Sequence, residues 1–119
     1  MKLIRSFTYA WQGIKYCYKT QLNFRIHLVG LSIVIIASFV LKITSTEWLF
    51  IIGCSVLVLA LEFVNTAIEH LCDIVTKDIH PAIKIIKDVS AAAVLIAATG
   101  SAITGAIIFS PKIISFFKL

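Results

Sequence analysis

The chain lacks the parts on which most soluble enzymes and binding modules are built. It has only three cysteines, Cys17, Cys54 and Cys72, far apart and with no CxxC. An odd, scattered set excludes a disulfide framework and a zinc site, and reads as small apolar packing residues. The five glycines are scattered and form no GxxxxGK[ST] loop, so the P-loop route to nucleotides is closed. His27, His70 and His80 are not at metal-ligand spacing and read as interfacial residues. Asn65-Thr66-Ala67 fails as a glycosylation sequon because Ala67 holds the third place. No small-residue cleavage site follows the first long apolar run, which begins after residue 25, so no secretory signal is expected. Acids are scarce: six Asp and Glu against eleven Lys and Arg, a net charge of +5.

What is abundant is hydrophobicity. Apolar residues make up 60% of 119, against about 45–50% in soluble domains. One small domain has no core large enough to hide that surface, whereas a bilayer accepts it. The chain therefore reads as one integral membrane domain, residues 1–119, and its bases read as topology signals rather than a nucleic-acid surface.

Residues 2–20 form an amphipathic helix pattern. Leu3, Phe7, Ala10, Trp11, Ile14, Cys17 and Tyr18 share one side, and Lys2, Arg5, Thr8, Gln12, Lys15 and Lys19 the other. Such a helix suits the membrane interface, as an inert anchor or as a cover for a cytoplasmic site. After a bend at residues 20–25, where Thr20 or Asn23 is placed to cap, a first span covers residues 26–41. Thr46 is placed to cap a second helix over residues 48–75. At about 1.5 Å per residue that helix outruns the hydrocarbon core, so its last turns lie at the interface or beyond. Pro81 opens a third helix, residues 82–110, which Pro111 ends. Along it Ala93, Ala97, Ser101 and Gly105 form a small-residue stripe that permits close helix approach.

Lys2, Arg5, Lys15, Lys19, Arg25, Lys77, Lys84 and Lys87 fall on one side of the membrane, and Lys42, Lys112 and Lys118 on the other. The positive-inside rule places the eight in the cytoplasm.

One stretch stands out against this background. Glu62, Asn65, Glu69 and Asp73 lie near 0°, 300°, 340° and 20° on a helix of about 100° per residue. Carboxylates at the end of an apolar span are costly and mark function by default. Across a short turn the next helix offers Lys84, Lys87 and Asp88 on one face. Acids with oxygen neighbours suit Mg²⁺ bound with phosphates, a lysine suits phosphate oxygens, and a deeper carboxylate suits a lipid hydroxyl as general base. Phosphoryl transfer from a nucleotide to a membrane alcohol uses all of these. A register-fixing ionic network in a non-catalytic oligomer, and a proton-coupled carrier, use similar residues and stay open on spacing alone.

The residues Glu62-Phe63-Val64-Asn65-Thr66-Ala67-Ile68-Glu69-His70-Leu71-Cys72-Asp73 resemble the pattern E-x-x-N-[ST]-[SA]-[ILV]-E-x-x-x-D of the prokaryotic diacylglycerol kinase and undecaprenol kinase family. Further matches are His80-Pro81 with Lys84, Lys87-Asp88 and Ala91-Ala92-Ala93-Val94-Leu95, and Trp11-x-Gly13 leading to Asn23-Phe24-Arg25. The resemblance covers nearly the whole chain in one register. It implies an all-α integral membrane protein: an interfacial amphipathic helix plus three transmembrane helices, assembled as a homotrimeric bundle. The location it implies is the bacterial inner membrane, with active sites between subunits facing the cytoplasm. It implies ATP-dependent phosphorylation of a membrane lipid alcohol, with undecaprenol mildly preferred over diacylglycerol from the His80-Pro81…Lys84…Lys87-Asp88 form. It also implies roles. Glu62 would be the catalytic base, Glu69 would hold Mg²⁺ at the ATP phosphates, and Asn65 would orient Glu69 or a phosphate. Lys87 and Asp88 would contact ATP, Asp78, Ile79 and His80 would lie near the adenosine, and Tyr9 would touch the nucleotide. Two residues depart from the family. Gln21 stands where a second metal-binding glutamate is usual, and keeps an acceptor oxygen without the charge. Lys2 stands where the diacylglycerol kinases have arginine, and keeps the charge without the planar fork.

Overall fold

The computed structural model describes residues 1–118, and all regular structure among them is helical. Four helices follow in order: α1 Lys2–Thr20, α2 Leu22–Val40, α3 Ser45–Val75 and α4 Pro81–Phe117. α2, α3 and α4 are each long and apolar enough to cross a membrane. With α1 they make an integral membrane protein of three spans and an N-terminal helix. Its longest dimension is 59 Å, about twice a hydrocarbon core of roughly 30 Å.

Each long helix runs further than its apolar stretch. α2 begins at Leu22 rather than residue 26, and α3 at Ser45 rather than residue 48. Hydropathy marks where lipid begins, but backbone hydrogen bonding carries a helix on through polar residues such as Asn23 and Arg25. The caps also differ from those expected. Gln21, in extended backbone, separates α1 from α2, and no side chain caps α2. Thr20 instead donates its hydroxyl back to the Tyr16 carbonyl at 2.7 Å. At α3 the cap is Thr44, not Thr46. Its hydroxyl accepts from the Glu47 amide at 3.2 Å, and the Glu47 carboxylate accepts from the Thr44 amide at 2.9 Å. This reciprocal box needs an acid three residues after the cap, which Thr44 has and Thr46 does not.

Pro111 does not end α4, which continues to Phe117. Proline removes one amide and crowds the carbonyl one turn earlier. Pro111 lies near the helix end, so only the Ile107 carbonyl one turn back loses its amide donor while the helix runs on. Lys112 just beyond it reaches Glu47 in the first turn of α3 at 3.0 Å.

α3 and α4 pack antiparallel as the main contact of the protomer, and α2 lies on α3. The small-residue stripe is turned inward: Ala97 is buried, and Ala93, Ser101 and Gly105 are half-buried. Ile43, Ile51 and Ile108 form a core at the far end, flanked by Val34, Trp48 and Phe109. Elsewhere large apolar side chains such as Leu49, Ile96 and Ile107 are exposed, as a lipid environment requires. Ser32, Ser38, Ser55, Ser101 and Thr104 return their hydroxyls to the carbonyl four residues earlier. No polar hydrogen is then wasted in an apolar medium.

α2 ends in a Schellman motif. The Ile43 amide donates to the Ser38 carbonyl and the Lys42 amide to Phe39, at 3.2 and 3.3 Å. This turn puts Lys42 in the left-handed region at φ 53°, where a side chain costs about 1–2 kcal/mol. Glycine relieves that strain and gives back about 0.5–1 kcal/mol of chain freedom. Lys42→Gly should therefore stabilise the protein by about 0.5–1 kcal/mol, and Lys42→Val should destabilise it. Both are read from equilibrium unfolding in mixed micelles.

Candidate active site

The acidic face of α3 resolves into two clusters that look toward different neighbours. The deeper one is centred on Glu62, the one buried side-chain carboxylate among the described residues at 5% exposure. His27 of α2 approaches it, with Nε2 3.0 Å from Glu62 Oε1. Thr66, one turn along, donates its hydroxyl to the Glu62 carbonyl at 2.9 Å. From α1 comes Cys17, buried beside Thr66 and near enough to Glu62 to feel its charge. Burial pushes the Cys17 thiol up, with the nearby Thr66 hydroxyl acting the other way. Cys17 is therefore a neutral packing group, which is how its sequence setting reads.

α1 is held over this cluster by one more contact. The Tyr16 hydroxyl lies 2.9 Å from His70 Nε2, and the two rings meet edge-on at 5.4 Å. On the other side, Phe24 of α2 packs on Phe63 at 5.0 Å. An apolar groove of about 290 Å³ opens beside His27 between α2, α3 and α4, its floor including Gly30, Val34, Cys54 and Gly105.

The second cluster faces α4. Asn65 donates to Glu69 Oε1 at 3.3 Å and accepts from the Ser90 hydroxyl at 2.7 Å. The amide is fully directed: its nitrogen serves the carboxylate and its oxygen the serine. Asn65 thereby orients Glu69. Ser90 is buried and was not singled out in the sequence. Its only signal was a hydroxyl near Lys87 on a helix expected to face α3. Nearer the helix end, Lys87 Nζ donates to Asp73 Oδ1 at 2.8 Å, and Glu69 lies close enough to act on the same ammonium. Asp88 is not paired with Lys87; it accepts from Lys84 one turn back, at 2.6 Å.

The remaining expected residues sit apart. Gln21 is half-buried at the α1–α2 break, and its amide nitrogen donates to Thr20 Oγ1 at 3.3 Å rather than to Glu69. Asp78 and Ile79 lie in the exposed turn between α3 and α4, Ile79 fully so. The Asp78 amide donates to Thr76 Oγ1 at 3.1 Å. His80 caps α4, its Nδ1 accepting from the Ala82 amide at 3.1 Å. Tyr9 is 66% exposed on α1, about 12 Å along the helix from Cys17, and is not part of either cluster.

Glu62 and Glu69 are two turns apart, about 10 Å along the axis. One carboxylate is thus shut in at membrane depth. The other stands nearer the polar end beside a lysine. A membrane protein with one buried acid and, two turns on, an acid–lysine group has side chains of the kind that phosphoryl transfer uses.

The comparisons agree. The family model for prokaryotic diacylglycerol kinase matches residues 8–109. The chain is 37% identical over 112 residues to an undecaprenol kinase of Bacillus subtilis, covering 94% of this chain and 91% of that protein. It is 40% identical over 116 residues to a diacylglycerol kinase of Synechocystis, covering 95% of this chain and 65% of that protein. A diacylglycerol kinase of Escherichia coli is 27% identical over 107 residues, 90% of this chain and 88% of that one. The chain belongs to the prokaryotic diacylglycerol kinase family, and is a lipid kinase.

Removing the Ser90 hydroxyl leaves a directed, half-buried amide oxygen without its donor. Ser90→Ala should cost about 1–2 kcal/mol in micelle unfolding. An unchanged stability would show that water replaces the serine.

Proposed function

We propose that this lipid kinase transfers the γ-phosphoryl group of ATP to the hydroxyl of a membrane lipid alcohol, with undecaprenol preferred over diacylglycerol. The observation that carries this reading is the depth difference on α3: Glu62 buried against α1 and α2, Glu69 two turns on and held by Asn65. In this reaction the lipid hydroxyl oxygen attacks the γ-phosphorus. A new O–P bond forms, the bond to the β–γ bridging oxygen breaks, and its electron pair leaves with ADP. The hydroxyl proton passes to Glu62. Lys87 exchanges Asp73 for a phosphate oxygen. Asp88, the turn residues Asp78 and Ile79, His80 and Tyr9 meet the rest of the nucleotide. The chain assembles as a homotrimer, with sites between subunits, and the assembly covers part of the exposed apolar surface. The undecaprenol preference is supported by the B. subtilis relative's name and extent of match, and by the His80-Pro81…Lys87-Asp88 form.

The donor chemistry fits Mg²⁺. Among the described residues no three His, Cys, Asp or Glu side chains gather as a protein cage. Mg²⁺ does not need one, since it binds through one or two carboxylates together with substrate phosphates. Glu69 would be the ligand, with Gln21 as a neutral second candidate. Bound there, the ion would neutralise charge on the phosphates. Eight of the eleven bases lie at the end of the molecule that carries Asp73 and Lys87, which supports an inner-membrane protein with this end in the cytoplasm.

With ATP, Mg²⁺ and a panel of lipid alcohols in bicelles, labelled phosphate should appear on undecaprenol and more slowly on diacylglycerol. Folded protein that phosphorylates none of them would refute the kinase reading. Glu62→Gln should lower kcat by about 10²–10⁴. Gln21→Glu should shift the Mg²⁺ titration to lower concentration, and an unmoved titration would remove Gln21 from the metal site.

A further inference from the structure

Glu62 is buried, yet among the described residues no lysine or arginine pairs with it. α1 presents Cys17, a neutral thiol, and α2 presents His27. On α3 itself Thr66 is turned to the backbone, and Glu69 is held by Asn65. On α4 the charged side chains Lys87 and Asp88 are engaged with Asp73 and Lys84. Among the described residues His27 is therefore the proton-bearing side chain on the Glu62 carboxylate.

The contact has a definite polarity. A bare imidazole nitrogen facing a carboxylate oxygen at 3.0 Å would set two lone pairs against each other. With Glu62 ionised, as a general base must be, Nε2 carries the hydrogen, whether the ring is neutral or protonated. That hydrogen occupies Oε1 and leaves Oε2 as the oxygen directed at incoming substrate. The ring also lines the apolar groove, so it stands between the hydrocarbon region and the carboxylate. Its side chain is partly exposed where that of Glu62 is not.

We propose that His27 is the positioning residue for Glu62. It pins one carboxylate oxygen through its Nε2 hydrogen, so that the other is presented to the lipid hydroxyl. The role rests on the kinase reading of Glu62. It gives the reaction a three-helix origin: base on α3, its orienting partner on α2, and its cover on α1.

The test has two arms on the full chain in lipid bicelles. In nitrogen-15 NMR of histidine-labelled protein, His27 should show a protonated Nε2 whose resonance moves in Glu62→Gln, while that of His80 stays. An unmoved His27 resonance overturns the contact. In kinetics, His27→Ala should lower kcat about tenfold to a hundredfold, the worth of a charge-assisted hydrogen bond. The KM values for ATP and lipid should stay within about twofold. His27→Gln keeps an N–H donor at similar reach and should recover most of the loss while retaining the fold. Equal losses in both variants, or a raised lipid KM with kcat intact, overturns the positioning role. If the wild-type chain phosphorylates no lipid alcohol, the kinase reading falls and the role with it, while the NMR arm still shows whether the pair exists.

Discussion

The structure hangs on the antiparallel register of α3 against α4. Three polar contacts set it at three depths: Glu47 with Lys112 at one end, Asn65 with Ser90 in between, and Asp73 with Lys87 at the other. Between them the filling is apolar and small, with Val58 on α3 and Val94 and Ala97 on α4 buried. Apolar packing alone gives little preference among neighbouring registers in lipid, because lipid tails are as apolar as the side chains. The polar contacts supply the preference. A slip of one turn would leave Asn65 without its serine and strand Lys87 away from its carboxylate. The acidic face inherits this register, since Glu69 is hydrogen-bonded by Asn65, and Asn65 by Ser90.

The second constraint is the cost of an acid at membrane depth. Glu62 sits about 16 Å along α3 from Asp73, well inside the apolar part of the helix. The protein meets that cost with a histidine and two lids rather than with a strong cation. His27 supplies a hydrogen on one oxygen, α1 covers the site through Cys17 and Tyr16, and α2 closes it with Phe24 on Phe63. A lysine here would neutralise the carboxylate more firmly, at the cost of burying a second charge. The interfacial helix is thus a working wall of the site and not only an anchor.

The polar end is organised differently. There the side chains are exposed and paired with one another: Lys87 on Asp73, and Lys84 on Asp88. Exposed pairs of this kind are weakly held. Gln21 belongs to this end too, at a bend in the chain, with its side-chain amide donating to its neighbour Thr20.

Much of this was legible in order along the chain. Helical periodicity and hydropathy determine the amphipathic first helix, the three spans and the spacing that puts Glu62, Asn65, Glu69 and Asp73 on one face, because those depend on residues near each other in sequence. The long E-x-x-N-[ST]-[SA]-[ILV]-E-x-x-x-D pattern likewise carries the family. Caps and helix ends were harder. Thr44 rather than Thr46, and an α4 that passes Pro111, turn on hydrogen-bond geometry at the helix ends, not on composition. What only the tertiary structure decided is which neighbour each polar side chain finds. His27 reads in sequence as an interfacial histidine and Ser90 as an unremarked hydroxyl. They become partners of Glu62 and Asn65 because the rotation of α2 and the register of α4 bring residues 35 and 25 positions apart within hydrogen-bonding distance, a relation that no local spacing encodes.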